Sequence, residues 1–190
     1  VDQFSKWVEA AALPEQSAEA VARSSVDTMF TRLGCPIIIH TDQGSDFTSR
    51  LFHQMCQLLQ VAKTRTTPYR PCSNGQVERI NRTILQMIRC TLRTNQSEWD
   101  NQLQILMGAI RSTVNRSTGF TPNLMMLGRE VRTPLQLMAG QPENPARDVH
   151  QYVVELKESM QHAHELARLN LAQQQHRQKR DKEHEDLLEQ

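Results

Sequence analysis

The sequence predicts an α/β domain followed by a long C-terminal helix, and three features of its patterning lead to that prediction. Helical stripes alternate with short β-branched runs in the first part of the chain, as in layered α/β folds. The composition, 38% hydrophobic and 23% charged residues, is that of a globular protein. Near residue 141 the composition turns to Pro, Glu, Asn and Ala, and a largely polar helical pattern follows. A chain of 190 residues therefore has room for one core and a helical appendage.

The first helix and the first buried strand are indicated by their apolar patterns. A helical stripe begins after Ser17 and stops at Gly34, and its members are Ala18, Ala22, Ser25, Met29 and Leu33. The apolar run CPIIIH at residues 35–40 predicts a strand buried in a parallel sheet. Such a strand delivers Asp42 just beyond its end, where catalytic groups of open α/β sheets often lie.

The middle of the chain predicts a helix over residues 49–60 with Phe52, Met55, Cys56 and Leu59 inward, then a short strand over residues 61–66 and a second long helix. The Ser73 and Gln76 pair has the spacing of a capping box, so this helix should begin there. Its buried stripe is Val77, Ile80, Ile84, Met87 and Ile88. A different face carries Glu78, Asn81 and Arg82. Glu78 is therefore expected to point away from the core.

Three further segments complete the predicted elements. Residues 1–10 are expected to begin a strand. Residues 98–115 are expected to form an amphipathic helix whose core stripe is Trp99, Leu103, Leu106, Ile110 and Val114. The C-terminal part has a short a/d seam of Val149, Val153, Leu156, Met160, Ala163 and Ala167. A seam of this length favours a docking or linker helix over a stable coiled coil.

Basic side chains are concentrated locally, although the net charge is only +1. Residues 61–95 contain seven of them and one acid, Glu78. The seven are Lys63, Arg65, Arg70, Arg79, Arg82, Arg89 and Arg93. Such a surface can bind phosphate backbones, and a solvated helix face is the alternative interpretation. The single acid among these cations is where a metal ion would complete the charge balance.

Zinc sites and membrane spans are both disfavoured. The four cysteines include no Cys-x-x-Cys pair, and the seven histidines lack finger spacing. No apolar run approaches the roughly 18 residues that a membrane span requires, and residue 1 does not begin a signal-peptide pattern. We therefore expect an intracellular protein without a zinc site or a membrane partner.

Two motifs carry the chemistry, HTDQGSDF at residues 40–47 and PYRPCSNGQVER at residues 68–79. Their acids Asp42 and Glu78 have 35 residues between them. These motifs resemble the active-site segments of retroviral-type integrase catalytic cores. The spacing alone is weak, because 21 acids offer many such pairs, but the context of each acid makes the resemblance specific.

The resemblance extends over most of the chain. In detail, the sequence is similar to gypsy-type LTR-retrotransposon integrases, or to a host gene derived from one. VDQFSKWVEA at residues 1–10 is similar to their second strand, and TGFTPNLMMLGREVRTP at residues 118–134 to the stretch after their catalytic core. All four motifs follow the order of the family. Arg70 and Cys72 depart from the His and Gln of many gypsy-type sequences.

The resemblance implies an RNase H-like fold and a metal-dependent polynucleotidyl transferase. Its members carry out 3′-end processing and strand transfer with two metal ions about 4 Å apart, held by three carboxylates. Asp42 and Glu78 would be catalytic ligands of Mg²⁺ or Mn²⁺. The matched positions near DNA are Tyr69, Ser73, Asn74, Asn81 and Arg82. The implied partners are the element's DNA ends and target DNA, with homo-oligomers in the parent integrase and a nuclear location.

The third carboxylate is not identified in this chain. The resemblance places it on a strand upstream of the VDQFSKW segment, so Asp2 is not its expected equivalent. Asp46 is more simply interpreted as a loop acid or as a cap for the helix near Ser49. We therefore expect a truncated core lacking its first strand over residues 1–140, a linker at 141–148 and a helical extension at 149–190.

Two functions remain open on this basis. One is an integrase core that binds DNA and joins element ends to target DNA, inactive as the isolated polypeptide. The alternative is a non-catalytic module, derived from an integrase, that binds nucleic acid or a protein through Arg79, Arg82, Arg89 and the C-terminal helix.

Overall fold

A computed structural model describes residues 1–66, 75–91, 99–132 and 148–188 of the chain. The chain forms two compact units. One comprises Val1 and Glu9–Met107, and the other comprises Asp2–Val8 and Gly108–Gln190. No helix within the described ranges combines the length and the apolarity needed to cross a membrane.

The first unit contains the sheet and most of the helices. Its elements are α1 (Ala18–Ser25), a π-helical turn (Val26–Phe30), α2 (Thr31–Leu33), β1 (Ile38–Thr41), α3 (Ser45–Thr48), α4 (Arg50–Leu58), β2 (Ala62–Arg65) and α5 (Gly75–Thr91). The next helix, α6 (Trp99–Arg111), extends from this unit into the second. From α1 to α5 the helices and strands alternate as the sequence predicts.

Both ends of the first helical segment are confirmed. The Ser17 side chain caps α1 by accepting a hydrogen bond from the Ala20 N–H at 3.2 Å. Gly34 ends the segment with a φ of 85°, a left-handed region that glycine adopts without steric cost. The π-helical turn was not predicted. Its extra residue rotates the inward face, so that Phe30 is buried while Leu33, expected to face inward, is exposed.

Strands β1 and β2 pair in parallel, with Ile38 opposite Ala62 and Thr41 opposite Arg65. A core cluster beside them contains Ala22, Phe52, Cys56 and Val61. Phe52 and Cys56 are buried residues of α4, as its predicted inward face requires. The Ser49 side chain caps that helix by accepting a hydrogen bond from the Phe52 N–H. Burial raises the pKa of the Cys56 thiol, an effect that the charge of Lys63 partly offsets. The thiol therefore stays protonated in the core.

The prediction of a fully buried strand at residues 35–40 is wrong in its first half. Ile37 and Ile38 are 86% and 58% exposed, whereas Ile39 packs against the core cluster. Side chains of a strand alternate between the two faces of its sheet. Ile39 therefore points to the face that α4 covers, and Ile38 points to the opposite face.

The strand expected in residues 1–10 is also wrong, because the structure has a turn there. The Asp2 N–H donates to the Trp7 carbonyl at 2.9 Å, and Lys6 has a φ of 62°. The Asp2 carboxylate accepts from the Ser5 N–H at 2.7 Å and from the Ser5 hydroxyl at 2.6 Å. These local hydrogen bonds compete with an extended conformation and reverse the chain.

Helix α5 confirms the two faces predicted for it. Ile84 is buried and its stripe neighbours Val77, Ile80, Met87 and Ile88 are half-buried. Glu78, Asn81 and Arg82 are all exposed. In α6 the predicted core residues Leu103 and Leu106 are buried, whereas Trp99, predicted to join them, is 39% exposed. Val114 is not part of that core, because the helix ends at Arg111.

The second unit is built from α7 (Pro122–Leu127) and α8 (Val149–Leu188). Thr121 caps α7 by accepting from the Leu124 N–H at 3.0 Å, and its hydroxyl donates to the Glu130 carboxylate at 2.9 Å. Ala163 and Ala167 of α8 are buried against Met125. The C-terminal half of the predicted seam is thus a docking face.

Side chains of α8 also bind backbone carbonyls of the segment around α7. His164 Nε2 lies 2.8 Å from the Met125 carbonyl oxygen, and Asn170 Nδ2 donates to Thr118 O at 2.8 Å. The N-terminal half of the seam differs, since Val149 and Val153 are 76% and 55% exposed. The boundaries predicted at residues 140 and 148 stay predictions, because residues 133–147 lie outside the described ranges.

Gly128 is where this helix packing is most sensitive to substitution. It has a φ of 71°, and a Cβ there would lie 2.8 Å from Met160 Sδ and 2.9 Å from Leu156 Cδ1. We expect Gly128→Ala to lower the free energy of unfolding by roughly 2–4 kcal/mol, from left-handed strain and overpacking. Chemical denaturation checks this. Gly108→Ala is the control, because a Cβ added at Gly108 would meet no neighbouring atom within 4 Å. Alanine at this helical position should raise the free energy of unfolding by up to about 1 kcal/mol.

Candidate active site

Asp42 lies directly after β1, at the end of the strand where the sequence places it. The preceding residue, Thr41, is buried, and its hydroxyl donates to the Asp42 carbonyl at 3.0 Å. The Asp42 side chain is exposed, and its Oδ1 accepts the Gly44 N–H at 3.0 Å. The strand end and this turn orient an exposed carboxylate towards solvent.

The turn leaves little room for a side chain at position 44. A Cβ on Gly44 would lie 3.1 Å from Asp42 Oδ1 and 3.5 Å from Phe47 Cδ2. Glycine therefore matters here because it lacks a side chain and leaves space beside the carboxylate. Its backbone conformation is ordinary, with a φ of −53°.

Glu78 lies in the first turn of α5, with its side chain exposed. A carboxylate there interacts favourably with the helix dipole. Asn81 and Arg82 are also exposed, on the face that i, i+3 and i+4 spacing defines. The remaining residues predicted to contact DNA, Tyr69, Ser73 and Asn74, lie outside the described residues. Glu78, Asn81 and Arg82 therefore present an acid, an amide and a guanidinium together on one helix face.

The other acids considered as a third ligand are engaged elsewhere. Asp46 Oδ2 accepts from Gln16 Nε2 at 3.2 Å, and Asp46 lies in the first turn of α3. Asp46 lies within a short helix and the cap of α4 is Ser49, so both interpretations of Asp46, as a loop acid and as a helix cap, are wrong. Asp2 is held by Ser5 within the turn of the second unit. Among the described residues, no three His, Cys, Asp or Glu side chains form a group that could hold a metal ion.

The cations of the predicted basic surface are largely accessible where they are described. Arg79, Arg82 and Arg89 are exposed on α5, and Arg65 is exposed on β2. Lys63 is half-buried and lies 6.0 Å from the Phe52 ring centroid. Arg70 and Arg93 lie outside the described ranges. Helix α5 thus carries both Glu78 and the exposed arginines.

The sequence did not single out Gln43, which has a specific contact in this site. Its Nε2 donates to the Thr66 carbonyl at 3.0 Å, across 23 positions of the chain. No periodicity or spacing marks a glutamine that bonds to a distant backbone carbonyl. Only the pairing of β1 with β2 brings the two residues together.

The fold is that of a retroviral integrase catalytic core, which is RNase H-like. The catalytic core domain of BIV integrase has a similar structure, with a TM-score of 0.53 and 27% sequence identity over 67% of this chain and 82% of that one. One chain of a cryoEM structure of the simian T-cell lymphotropic virus intasome in complex with PP2A regulatory subunit B56 gamma has a TM-score of 0.57 and 27% identity to this chain. That match covers 78% of this chain and 51% of the other.

Residues 1–71 match the family model described as an integrase core domain. The chain is also 34% identical over 150 residues to the Pol polyprotein of feline endogenous virus ECE1, which is 78% of this chain and 14% of that polyprotein. The chain is therefore related to the integrase core of retroviral Pol proteins, and it spans a small part of their length. The integrase relationship expected from the motifs is confirmed at that level.

Proposed function

We propose that this chain provides the catalytic core of a gypsy-type retrotransposon integrase, which binds DNA and joins element ends to target DNA in the nucleus. The observation that carries this proposal is the exposed Asp42 carboxylate at the end of β1, oriented by the Gly44 N–H at 3.0 Å. It stands in a fold shared with retroviral integrase cores. The intasome assembly of the simian T-cell lymphotropic virus relative supports DNA and further protein copies as partners.

The donor chemistry of the two acids fits Mg²⁺ or Mn²⁺. Carboxylate oxygens are the ligands that such hard cations prefer. Asp42 and Glu78 are exposed and belong to the same compact unit, and Gly44 leaves space beside Asp42 Oδ1. A bound Mg²⁺ would supply electrostatic stabilisation to the oxygens of a transferring phosphoryl group. We propose that a third carboxylate comes from outside residues 1–190, so these residues alone are inactive.

The exposed face of α5 would position the DNA in this proposal. Asn81 can donate or accept through its amide, and Arg82 can bond phosphate oxygens through its fork of N–H groups. Glu78 lies on the same face, so phosphate contacts there would bring the DNA backbone beside the Glu78 carboxylate, a proposed metal ligand.

Metal binding tests the site directly. We expect Mg²⁺ added to the 190-residue protein to shift the amide NMR signals of Gly44 and of residues beside Glu78. Asp42→Asn and Glu78→Gln should each weaken this binding roughly tenfold or more, because each removes one anionic ligand. Asp42→Asn keeps an Oδ1 acceptor for Gly44, so the turn can persist while the charge is lost.

Asp46→Asn is the matched control for these variants. It removes an acid four positions from Asp42 whose carboxylate binds Gln16 in the structure, so Mg²⁺ affinity should change less than about twofold. Equal losses from Asp42→Asn and Asp46→Asn would contradict the site. Such a result would favour the alternative of a non-catalytic binding module.

A further inference from the structure

The turn that carries Asp42 is fixed to the end of β2 on both of its flanks. On one side the Thr41 carbonyl accepts the Thr66 N–H at 2.9 Å, which extends the parallel ladder by one bond. On the other side Gln43 Nε2 donates to the Thr66 carbonyl at 3.0 Å. A single residue of the neighbouring segment thus binds the residues before and after the acid.

We propose that Gln43 is a positioning residue for Asp42, a role that rests on the function proposed for Asp42 itself. Within the described part of the chain, the other hydrogen bonds of residues 42–44 are all local: Gly44 N–H to Asp42 Oδ1, the Thr41 hydroxyl to the Asp42 carbonyl, and the Thr48 N–H and hydroxyl to the Gly44 carbonyl. Each joins residues at most four positions apart, and none of them connects the loop to the neighbouring strand. The Gln43 side chain supplies that connection, because it donates to the carbonyl of Thr66, the residue directly after β2.

The neighbouring contacts support a rigid base for this turn. Thr41 is buried, and the cross-strand pair of His40 and Thr64 has Nδ1 and Oγ1 2.9 Å apart. After the turn, Phe47 packs on Phe52 with ring centroids 5.3 Å apart. The strand before the acid and the helix after it are therefore anchored, and Gln43 restrains the exposed residues between them.

Gln43→Met tests this role, because methionine has a similar length and lacks the N–H donor. The reference is Gln54→Met, at an exposed glutamine of α4. Each variant of the 190-residue protein is titrated with Mg²⁺ alone, and binding is followed by the NMR signal of the Gly44 amide. We expect the apparent Kd for Mg²⁺ to be about three- to tenfold higher in Gln43→Met than in wild type, because one orienting hydrogen bond is lost. Gln54→Met should stay within about twofold of wild type.

Two further readouts separate positioning from general damage. The ¹³C signal of the Thr66 carbonyl should move in metal-free Gln43→Met and not in Gln54→Met, since only the first loses the bond. The thermal unfolding midpoints of the two variants should agree within a few degrees, because the Gln43 bond is exposed.

The outcomes distinguish this inference from the function on which it rests. If Asp42→Asn loses Mg²⁺ affinity while Gln43→Met binds as wild type does, the positioning role is overturned and the metal site stands. If Asp42→Asn binds Mg²⁺ as wild type does, or if wild type shows no Mg²⁺-dependent shift at Gly44, the metal site is overturned and the positioning role with it.

Discussion

Glu78→Gln is expected to abolish strand transfer in a protein that joins residues 1–190 to an N-terminal strand bearing the third carboxylate. Removing one of three metal-binding carboxylates withdraws several kcal/mol of charge stabilisation from the transferring phosphoryl group, which corresponds to a loss of roughly a thousandfold or more. The assay measures joining of a labelled DNA end to a plasmid in Mg²⁺ or Mn²⁺. Glu78 is exposed in the first turn of α5, so the fold should persist.

Two comparisons make this result specific. The polypeptide of residues 1–190 alone should give no product, because Asp42 and Glu78 can firmly hold at most one ion. Glu19→Gln is the matched control, since Glu19 is also an exposed acid in the first turn of a helix. Robust strand transfer by residues 1–190 alone would contradict the proposal of an external third carboxylate and would direct attention to Asp2 or Asp46.

The part of the site that rests on local pattern could be predicted from the sequence. Asp42 lies just after an apolar run, and the strand over that run ends within one residue of it, at Thr41. Glu78 lies on the polar face of α5, and the apolar stripe on the other face of this helix repeats with a 3.6-residue period that the sequence shows directly. Both positions depend on neighbours within a few residues, which a sequence displays directly.

Features that depend on distant neighbours could not be predicted in the same way. Gln43 contacts Thr66 only because two strands pair in a particular register, and sequence periodicity carries no information about register between strands. The exposure of Ile38 has the same origin, because an apolar run looks alike whether one face or both faces are covered. The π-helical turn shifts a buried stripe by one position without any residue that marks it.

Reversing two charges on α5 is expected to produce the largest change in DNA affinity. Arg79→Glu combined with Arg82→Glu replaces two exposed cations beside Glu78 with two anions. If both arginines contact phosphates, the slope of log K against log salt should become shallower by roughly 2, and affinity at low salt should fall at least about tenfold. Fluorescence anisotropy with a labelled duplex at several salt concentrations measures both quantities.

The control for this variant reverses Arg177 and Arg180, which are exposed on α8 and change the net charge equally. Arg168 is unsuitable as a control, because its guanidinium lies 5.4 Å from the Phe4 ring centroid and its loss would disturb packing in the second unit. Long-range attraction depends on total charge, whereas phosphate contacts depend on position and are lost only where they are made. If α5 carries the binding face, reversing its two arginines should weaken DNA binding more than reversing the two arginines of α8, at every salt concentration. Equal losses would show that the arginines of α5 are a solvated helix surface.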